Sequence, residues 1–97
     1  MISAGIPKST RKAVYKRDGY RCALCDNPQY IQIHHVIPRS EGGSDFPENL
    51  ITLCHICHGQ AHGLRYPGFD DITEAGMHQA CVEYVSDYYA GEWYPFK

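Results

Sequence analysis

Short apolar stretches separated by turn-forming residues characterise the middle of the chain. Residues 30–34, YIQIH, alternate apolar and polar side chains, which is typical of a half-buried strand, and Pro38 must end that strand. Residues 50–54, LITLC, predict a second strand, antiparallel to the first. Between them, residues 39–49 are rich in Gly, Ser, Asp, Pro and Asn and predict a loop. The pattern therefore predicts a hairpin with a long connection.

Helices are expected on both sides of this hairpin. The first should begin at a cap formed by Ser9 or Thr10 and run to about residue 17, with its basic side chains pointing outward. The second should cover about residues 55–64, although glycines at 59 and 63 weaken it. The hairpin and its flanking helices together predict an α+β fold.

A third helix is expected near the end of the sequence. Asp71 and Glu74 have the spacing of a capping box, and apolar side chains then recur at helical spacing. These side chains are Met77, Cys81, Tyr84, Val85 and Tyr88. We interpret this helix as structural cladding, and its tyrosines, including Tyr89, as packing residues and not as platforms for stacked bases.

The size and composition favour one small domain that needs extra stabilisation. A chain of 97 residues and 11.0 kDa is expected to form a single domain, 1–97, with a small hydrophobic core. Its five cysteines are an odd number, which argues against a disulfide framework and favours a reducing compartment. No apolar run approaches the roughly 18 residues of a membrane span. We therefore expect a cytoplasmic protein, in a bacterial cell or a phage-infected host, without a membrane partner.

Charge is distributed unevenly along the chain. Residues 1–21 hold six Lys or Arg against one Asp, whereas residues 66–97 hold six Asp or Glu against one Lys. The basic end could contact phosphates, and the acidic end could not. The alternative explanation for each charged segment is an exposed surface that contacts only water.

Two Cys-x-x-Cys pairs are the strongest motif in the sequence. Cys22 and Cys25 form the first pair and Cys54 and Cys57 the second, and 28 residues separate the two pairs. Four cysteines in this arrangement are typical of a tetrahedral structural zinc site. Buried free thiols or redox-active pairs are the alternatives, and His58 could replace one cysteine as a ligand.

Histidines form a second candidate site. Because a four-cysteine zinc site has no open coordination position, catalysis would require another metal. His34 and His35 end the first strand, and His58 and His62 are four residues apart, so that they share one face of the second helix. These side chains are candidates for metal ligands and for a general base.

Three arginines and two further histidines have weaker signals in the sequence. Arg17 and Arg21 are candidate phosphate contacts at the basic end of the chain, and Arg39 is a candidate in the loop. Arg39 could equally be a surface arginine. His55 and His78 are interpreted as polar surface residues.

The run IHHVIPRSEGGSDFPENLITLCHICHGQAH, residues 33–62, resembles the motif of HNH endonucleases with the ββα-metal fold. The upstream KAVYKRDGYRCALC resembles the zinc knuckle of the cysteine-containing branch, so that the similarity covers residues 11–62. It implies a small zinc-stapled, treble-clef-like core at 11–65 with flanking N- and C-terminal helices, the latter within a helical extension at 66–97. Small members of this family resemble proteins encoded by phages and mobile elements, where they work in genome packaging or DNA mobility, and others act in restriction.

The resemblance also implies roles for single residues. His34 matches the first metal ligand, His35 the general base that activates water, and Asn49 the residue that holds the loop so that His35 is oriented. His58 matches the final metal ligand, and His62 a ligand found in only some members. The implied cofactors are a structural Zn²⁺ and one catalytic divalent cation, which could be Mg²⁺, Mn²⁺, Ni²⁺ or Zn²⁺.

Two functions follow from this interpretation. The first is a metal-dependent endonuclease that hydrolyses phosphodiester bonds of DNA, with phage packaging or other DNA-processing proteins as potential partners. The second is a non-catalytic zinc-stapled module that binds nucleic acid or protein. The first has one geometric difficulty: adjacent residues of a strand point to opposite faces, so His34 and His35 are expected to share a site only where the strand frays.

Overall fold

A computed structural model describes residues 5–90 and 92–96. Within these residues it contains three α-helices and two β-strands: α1 (Lys8–Arg17), β1 (Gln32–His35), β2 (Leu50–Leu53), α2 (His55–Ala61) and α3 (Glu74–Tyr89). The hairpin leads directly into α2, and α1 and α3 flank this ββα unit. The predicted α+β fold class is confirmed.

The two strands form an antiparallel sheet in which His34 pairs with Ile51 and His35 with Leu50. β1 begins two residues later than the pattern predicts, because Tyr30 adopts a left-handed backbone conformation with a φ of 54° and is exposed. β2 is buried at all four positions, since all three helices contact it. The sequence of such a fully buried strand is almost continuously apolar, with little alternation between apolar and polar residues.

The starts of α1 and α3 differ from the predicted caps. Pro7 precedes α1 and offers no side-chain cap, so the prediction of a cap at Ser9 or Thr10 is wrong. Proline is compatible with a helix start because its ring fixes φ near the helical value. α3 begins after Thr73, whose Oγ1 accepts a hydrogen bond from the Gly76 amide, so Asp71 is not the cap.

α2 is shorter than predicted, and the long loop is more regular. α2 ends at Ala61 because Gly63 turns the backbone into the left-handed region, with a φ of 89°. The loop contains two single turns of 3₁₀-helix, Arg39–Glu41 and Pro47–Asn49. The loop therefore has a regular backbone structure, which positions its side chains beside the end of β1.

α3 packs over the side of the hairpin that bears the cysteines. Its buried side chains Met77, Cys81 and Val85 join one hydrophobic cluster with Cys54 and Cys57. The chain then returns along the loop between the strands, where the Ser44 amide donates to the Pro95 carbonyl and Trp93 Nε1 donates to the Glu48 carbonyl. The C-terminal segment therefore packs against both the core and the loop.

Among the helices that the structure describes, none is long and apolar enough to cross a membrane.

Candidate functional site

The four cysteines of the two Cys-x-x-Cys pairs converge on one point. Each offers a sulfur atom, and all four sulfur atoms lie within 4.8 Å of one another. Cys25 Sγ and Cys54 Sγ are 3.6 Å apart. A tetrahedral zinc with Zn–S bonds of about 2.3 Å would place its sulfur ligands about 3.8 Å apart. The cluster therefore has the donor atoms and the dimensions of a structural zinc site.

Local turns bring these cysteines together. The Cys22 amide donates to the Asn27 carbonyl and the Asp26 amide donates to the Cys22 carbonyl, which closes the first knuckle. Cys54 caps the N-terminus of α2, and its sulfur accepts a hydrogen bond from the Cys57 amide. One pair thus comes from a turn and the other from the junction between β2 and α2.

All five cysteines are free thiols, and their environment favours metal binding. The Cys57 thiol donates to Cys22, and this contact, together with the backbone amides of residues 54, 25 and 24, lowers the pKa of Cys22 to about 4 against the opposing effect of burial. The same contact raises the pKa of Cys57. Backbone amides that stabilise a thiolate are suited to a zinc knuckle, because zinc binds the deprotonated form.

Three histidines form the second cluster. His34 of β1, His58 of α2 and His62 at the end of α2 each offer a ring nitrogen, and these nitrogens lie within 4.8 Å of one another. His58 Nε2 and His62 Nε2 are 3.2 Å apart. His58 and His62 share one face of α2, as their spacing predicts, and β1 places His34 opposite them. We call these three residues the histidine triad.

Two rings of the triad, those of His34 and His58, favour the neutral form. Burial, followed by repulsion from His58 and His62, lowers the pKa of His34 to about 3. Burial, followed by repulsion from His62, also lowers the pKa of His58. An imidazole must be neutral to offer its lone pair to a metal. The triad thus fits a divalent ion and, with three ligands, leaves coordination positions open.

His35 reaches the same cavity as the triad although β1 stays regular. His34 and His35 both line a cavity of about 660 Å³, and His35 remains paired with Leu50. The strand therefore need not fray for both side chains to line one cavity, because this cavity lies at the end of β1. Its other lining residues include Arg39, Glu41, His58, His62, Glu74 and His78.

Asp45 is a candidate site residue that no sequence motif predicts. Its Oδ1 accepts hydrogen bonds from His35 Nε2 at 2.8 Å and from Arg39 Nε at 2.9 Å. These two partners, His35 first, lower the pKa of the Asp45 carboxyl. The only signal in the sequence is an acidic residue ten positions after His35 within a glycine-rich loop, and such a residue is normally interpreted as part of a turn.

Asn49 is fully buried and ties the loop together. Its side-chain amide donates to the carbonyls of Ile37 and Ser44 at 3.0 and 2.8 Å, and its Oδ1 accepts from the Ile37 amide at 2.7 Å. Gly43 packs so closely here that an added Cβ would lie 1.9 Å from the Ile37 carbonyl oxygen. Asn49 therefore holds the loop that carries Asp45, and its effect on the orientation of His35 stays a prediction.

α3 contributes to the cavity as well as to the core. Glu74 and His78 are four residues apart on α3, and both line the cavity. His78 is exposed, as expected of a surface residue, yet its charge is near enough to contribute to the lowered pKa of His34. The interpretation of α3 as structural cladding alone is therefore incomplete.

The three candidate arginines have different environments. Arg39 lines the cavity and is 41% exposed, and Arg21 is 58% exposed with its Nε 3.5 Å from Asp26. The prediction that Arg17 contacts phosphate is wrong, because its side chain is only 5% exposed and pairs with Asp18 at 2.7 Å. Arg17 also donates to the Leu50 carbonyl, so its donors are used inside the fold.

Comparison with known proteins places both clusters within a known family. The family model described as HNH endonuclease matches residues 22–63. The chain is 46% identical over 39 residues to the Type IV methyl-directed restriction enzyme EcoKMcrA of Escherichia coli, and 38% identical over 56 residues to Anaredoxin of Nostoc. It is 52% identical over 33 residues to Probable mobile endonuclease C of Enterobacteria phage T4.

These relatives differ in how much of their own length is matched. The three alignments cover 40%, 57% and 34% of this chain. They cover 14% of the restriction enzyme and 16% of the mobile endonuclease, but 74% of Anaredoxin. The chain therefore spans only a small part of the two endonucleases.

The fold has a counterpart among solved structures. The Type IV phosphorothioation-dependent restriction endonuclease ScoMcrA matches with a TM-score of 0.62 at 23% identity, over 87% of this chain and 17% of that chain. At this identity the similarity concerns the fold. The residues matched by the HNH endonuclease family model, 22–63, contain both the cysteine cluster and the histidine triad, and the chain belongs to the HNH endonuclease family.

Proposed function

We propose that the protein is a metal-dependent endonuclease that hydrolyses phosphodiester bonds of DNA. The observation that supports this best is the cavity that the histidine triad shares with His35, whose Nε2 is hydrogen-bonded to Asp45. Two relatives are named as a restriction enzyme and a mobile endonuclease, which favours DNA as the substrate. Restriction or DNA mobility is then favoured over genome packaging as the biological setting.

His34, His58 and His62 are the residues that would hold the catalytic divalent cation. Such an ion polarises the scissile phosphate and stabilises the leaving 3′ oxygen when it is bound. The four cysteines would hold a separate structural zinc. The protein thus divides folding and chemistry between two neighbouring centres, which α2 connects.

His35 is proposed as the general base. Its Nε2 donates to Asp45, which leaves Nδ1 as the nitrogen that can accept a proton from the attacking water. The Asp45 carboxylate fixes the ring and stabilises the imidazolium that forms as the water is deprotonated. Asn49 contributes indirectly, because it holds the loop on which Asp45 lies.

Arg39 and the basic side of α1 are proposed to hold the DNA backbone. The Arg39 guanidinium lies against Gly5, just before α1, so the helix begins beside the cavity. Lys8, Arg11 and Lys12 then line a shallow groove along α1. Lysine and arginine side chains on one track can contact successive phosphates without reading sequence. Arg21, which is well exposed, is a further candidate for such a contact.

Replacement of the base tests this proposal. Plasmid nicking with added Mg²⁺, Mn²⁺ or Ni²⁺ should fall by about 10²- to 10⁴-fold in His35→Ala, since general-base catalysis contributes on this scale. His55→Ala is the matched control, because His55 packs on Tyr30 outside the cavity and should leave the rate unchanged. Equal rates for His35→Ala and the parent protein, with equal zinc content, would refute the assignment of His35.

Metal titration tests whether the protein binds the second ion that the proposed endonuclease requires. A non-catalytic zinc module would explain the cysteine cluster and the basic helix, but it gives no reason for the triad to converge. The endonuclease should take up one divalent ion besides its tightly held zinc, as measured by isothermal titration with Ni²⁺. Loss of this second uptake in His34→Ala would place the ion on the triad.

A further inference from the structure

Gln32 contacts the histidine triad from outside the motif of adjacent histidines. It is the first residue of β1, and its Oε1 is hydrogen-bonded to His58 Nδ1. Gln32 and His34 are two residues apart on the strand, so their side chains project from the same face of the hairpin. The contact links β1 to α2 across 26 residues of sequence.

The position of the proton on an imidazole ring relates this contact to metal binding. A neutral histidine carries one proton, and only the nitrogen without it can bind a metal. The amide oxygen of Gln32 can only accept a hydrogen bond, so it requires the proton to be on Nδ1. Nε2 is then free, and it is the nitrogen that lies 3.2 Å from His62 Nε2.

We propose that Gln32 is a positioning residue that holds His58 in the Nδ1–H form and directs its Nε2 to the catalytic cation. This inference rests on the proposed metal site at the triad. Oxygen partners of this kind orient metal-binding histidines and typically change metal affinity by about 10- to 100-fold. Gln32 is exposed, so replacing it should alter this contact without disturbing the core.

The tautomer of His58 can be measured without any bound catalytic ion. We suggest long-range ¹H–¹⁵N spectra of the zinc-loaded protein at pH 8, where His58 is neutral because its pKa is lowered by burial. The parent protein should show His58 with its proton on Nδ1. Gln32→Met, which has a similar length and no strong acceptor, should shift His58 towards the Nε2–H form, and Gln32→Glu should restore the Nδ1–H form.

Metal affinity provides an independent measurement. The dissociation constant for Ni²⁺ should rise by about 10- to 100-fold in Gln32→Met and return towards the parent value in Gln32→Glu. Gln79→Met is the matched control, because Gln79 is exposed on α3, where it is paired with Glu83. The zinc content should be the same in all four proteins.

Each outcome decides a different question. A parent protein whose His58 carries its proton on Nε2, or a Gln32→Met protein with unchanged tautomer and Ni²⁺ affinity, would overturn the role of Gln32. Either result would leave the proposed endonuclease intact if His35→Ala still abolished nicking. Conversely, a protein that binds Ni²⁺ in a Gln32-dependent manner but cuts no DNA would refute the proposed function and support this inference.

Discussion

Asp45 uses a single carboxylate oxygen to hold two side chains of the cavity. His35 Nε2 and Arg39 Nε both donate to its Oδ1, so the proposed base and the proposed phosphate contact share one anchor. The carboxylate is 34% exposed; of its two partners, His35 is the last residue of β1 and Arg39 begins the first 3₁₀ turn of the loop. At the residue scale, therefore, the orientations of the His35 and Arg39 side chains depend on a residue outside the histidine and cysteine motifs.

Replacing Asp45 by Asn should slow DNA nicking by at least about tenfold. The amide cannot stabilise the imidazolium that forms on His35, and loss of the carboxylate in a buried catalytic triad costs up to about 10⁴-fold. Because the Asp45 side chain is partly exposed, we expect a smaller loss of activity here. Asp26→Asn is the control with the same change in charge, because Asp26 lies 3.5 Å from Arg21 in the zinc knuckle. An unchanged kcat in Asp45→Asn would contradict its proposed role.

The helices are joined by a buried ion pair at the end of α1. Arg17 pairs with Asp18, whose Oδ2 accepts from the Thr52 amide of β2 and whose Oδ1 accepts from Tyr84 Oη of α3. Arg17 also donates to Tyr89 Oη at 3.2 Å. Tyr84 and Tyr89 are thus packing residues, as predicted, whereas the same prediction is wrong for Tyr88, which is exposed. At the element scale, one ion pair connects α1, β2 and α3.

Asp18→Asn should lower the free energy of unfolding by about 3 to 5 kcal/mol, because Arg17 would remain buried without its counter-charge. Urea unfolding of the zinc-loaded protein would measure this change. Asp87→Asn is the control, since Asp87 is exposed on α3, and it should change stability by less than about 0.5 kcal/mol. A loss below about 1 kcal/mol in Asp18→Asn would show that the pair contributes little.

The two proposed metal centres are coupled through α2. Cys54 caps this helix, Cys57 and His58 are neighbours on it, and His62 follows its last residue. The helix has only seven residues, which is too short to be stable without tertiary contacts. At the scale of the whole molecule, zinc binding at the cysteine cluster is expected to stabilise the helix that carries two of the three histidine ligands.

Cys57→Ala should therefore abolish both metal sites. Structural zinc sites contribute on the order of 10 kcal/mol to folding, so loss of one ligand should leave the domain unfolded and unable to bind Ni²⁺ at the triad. Circular dichroism and metal analysis would show this. Cys81→Ala removes a buried thiol outside the cluster and should retain one zinc per chain. A folded Cys57→Ala protein that still binds Ni²⁺ would separate the two centres.

The buried His34 should make stability depend on pH when the catalytic ion is absent. Its pKa is lowered to about 3 in the folded protein, against about 6.5 when unfolded, so the unfolded state binds more protons between these values. Its contribution is therefore fully present above about pH 6.5 and is lost as the pH falls towards 3. We expect zinc-loaded His34→Gln to lose less stability than the parent between pH 7 and 5.5, and His55→Gln to lose as much. Equal losses in all three proteins would contradict this.

Local patterns in the sequence were sufficient to predict the α+β fold class, the cysteine cluster and the pairing of His58 with His62. Each depends on short spacings that one turn or one helix enforces, and the family resemblance gave the order of the remaining histidine positions. The division into a core at 11–65 and an extension at 66–97 stays a prediction. Boundaries were less accurate, because Pro7, Thr73 and Gly63 decide where helices begin and end.

Long-range packing alone decided how the site is arranged around these motifs. Asp45 meets His35, and Gln32 meets His58, only because the loop and the hairpin fold back on themselves. The burial of Arg17 had the same origin, since a basic residue at a helix end is normally solvated until another element covers it. The Cys-x-x-Cys pairs could be recognised from spacing, whereas the residues that orient the proposed chemistry depend on contacts between distant segments, which no local pattern encodes.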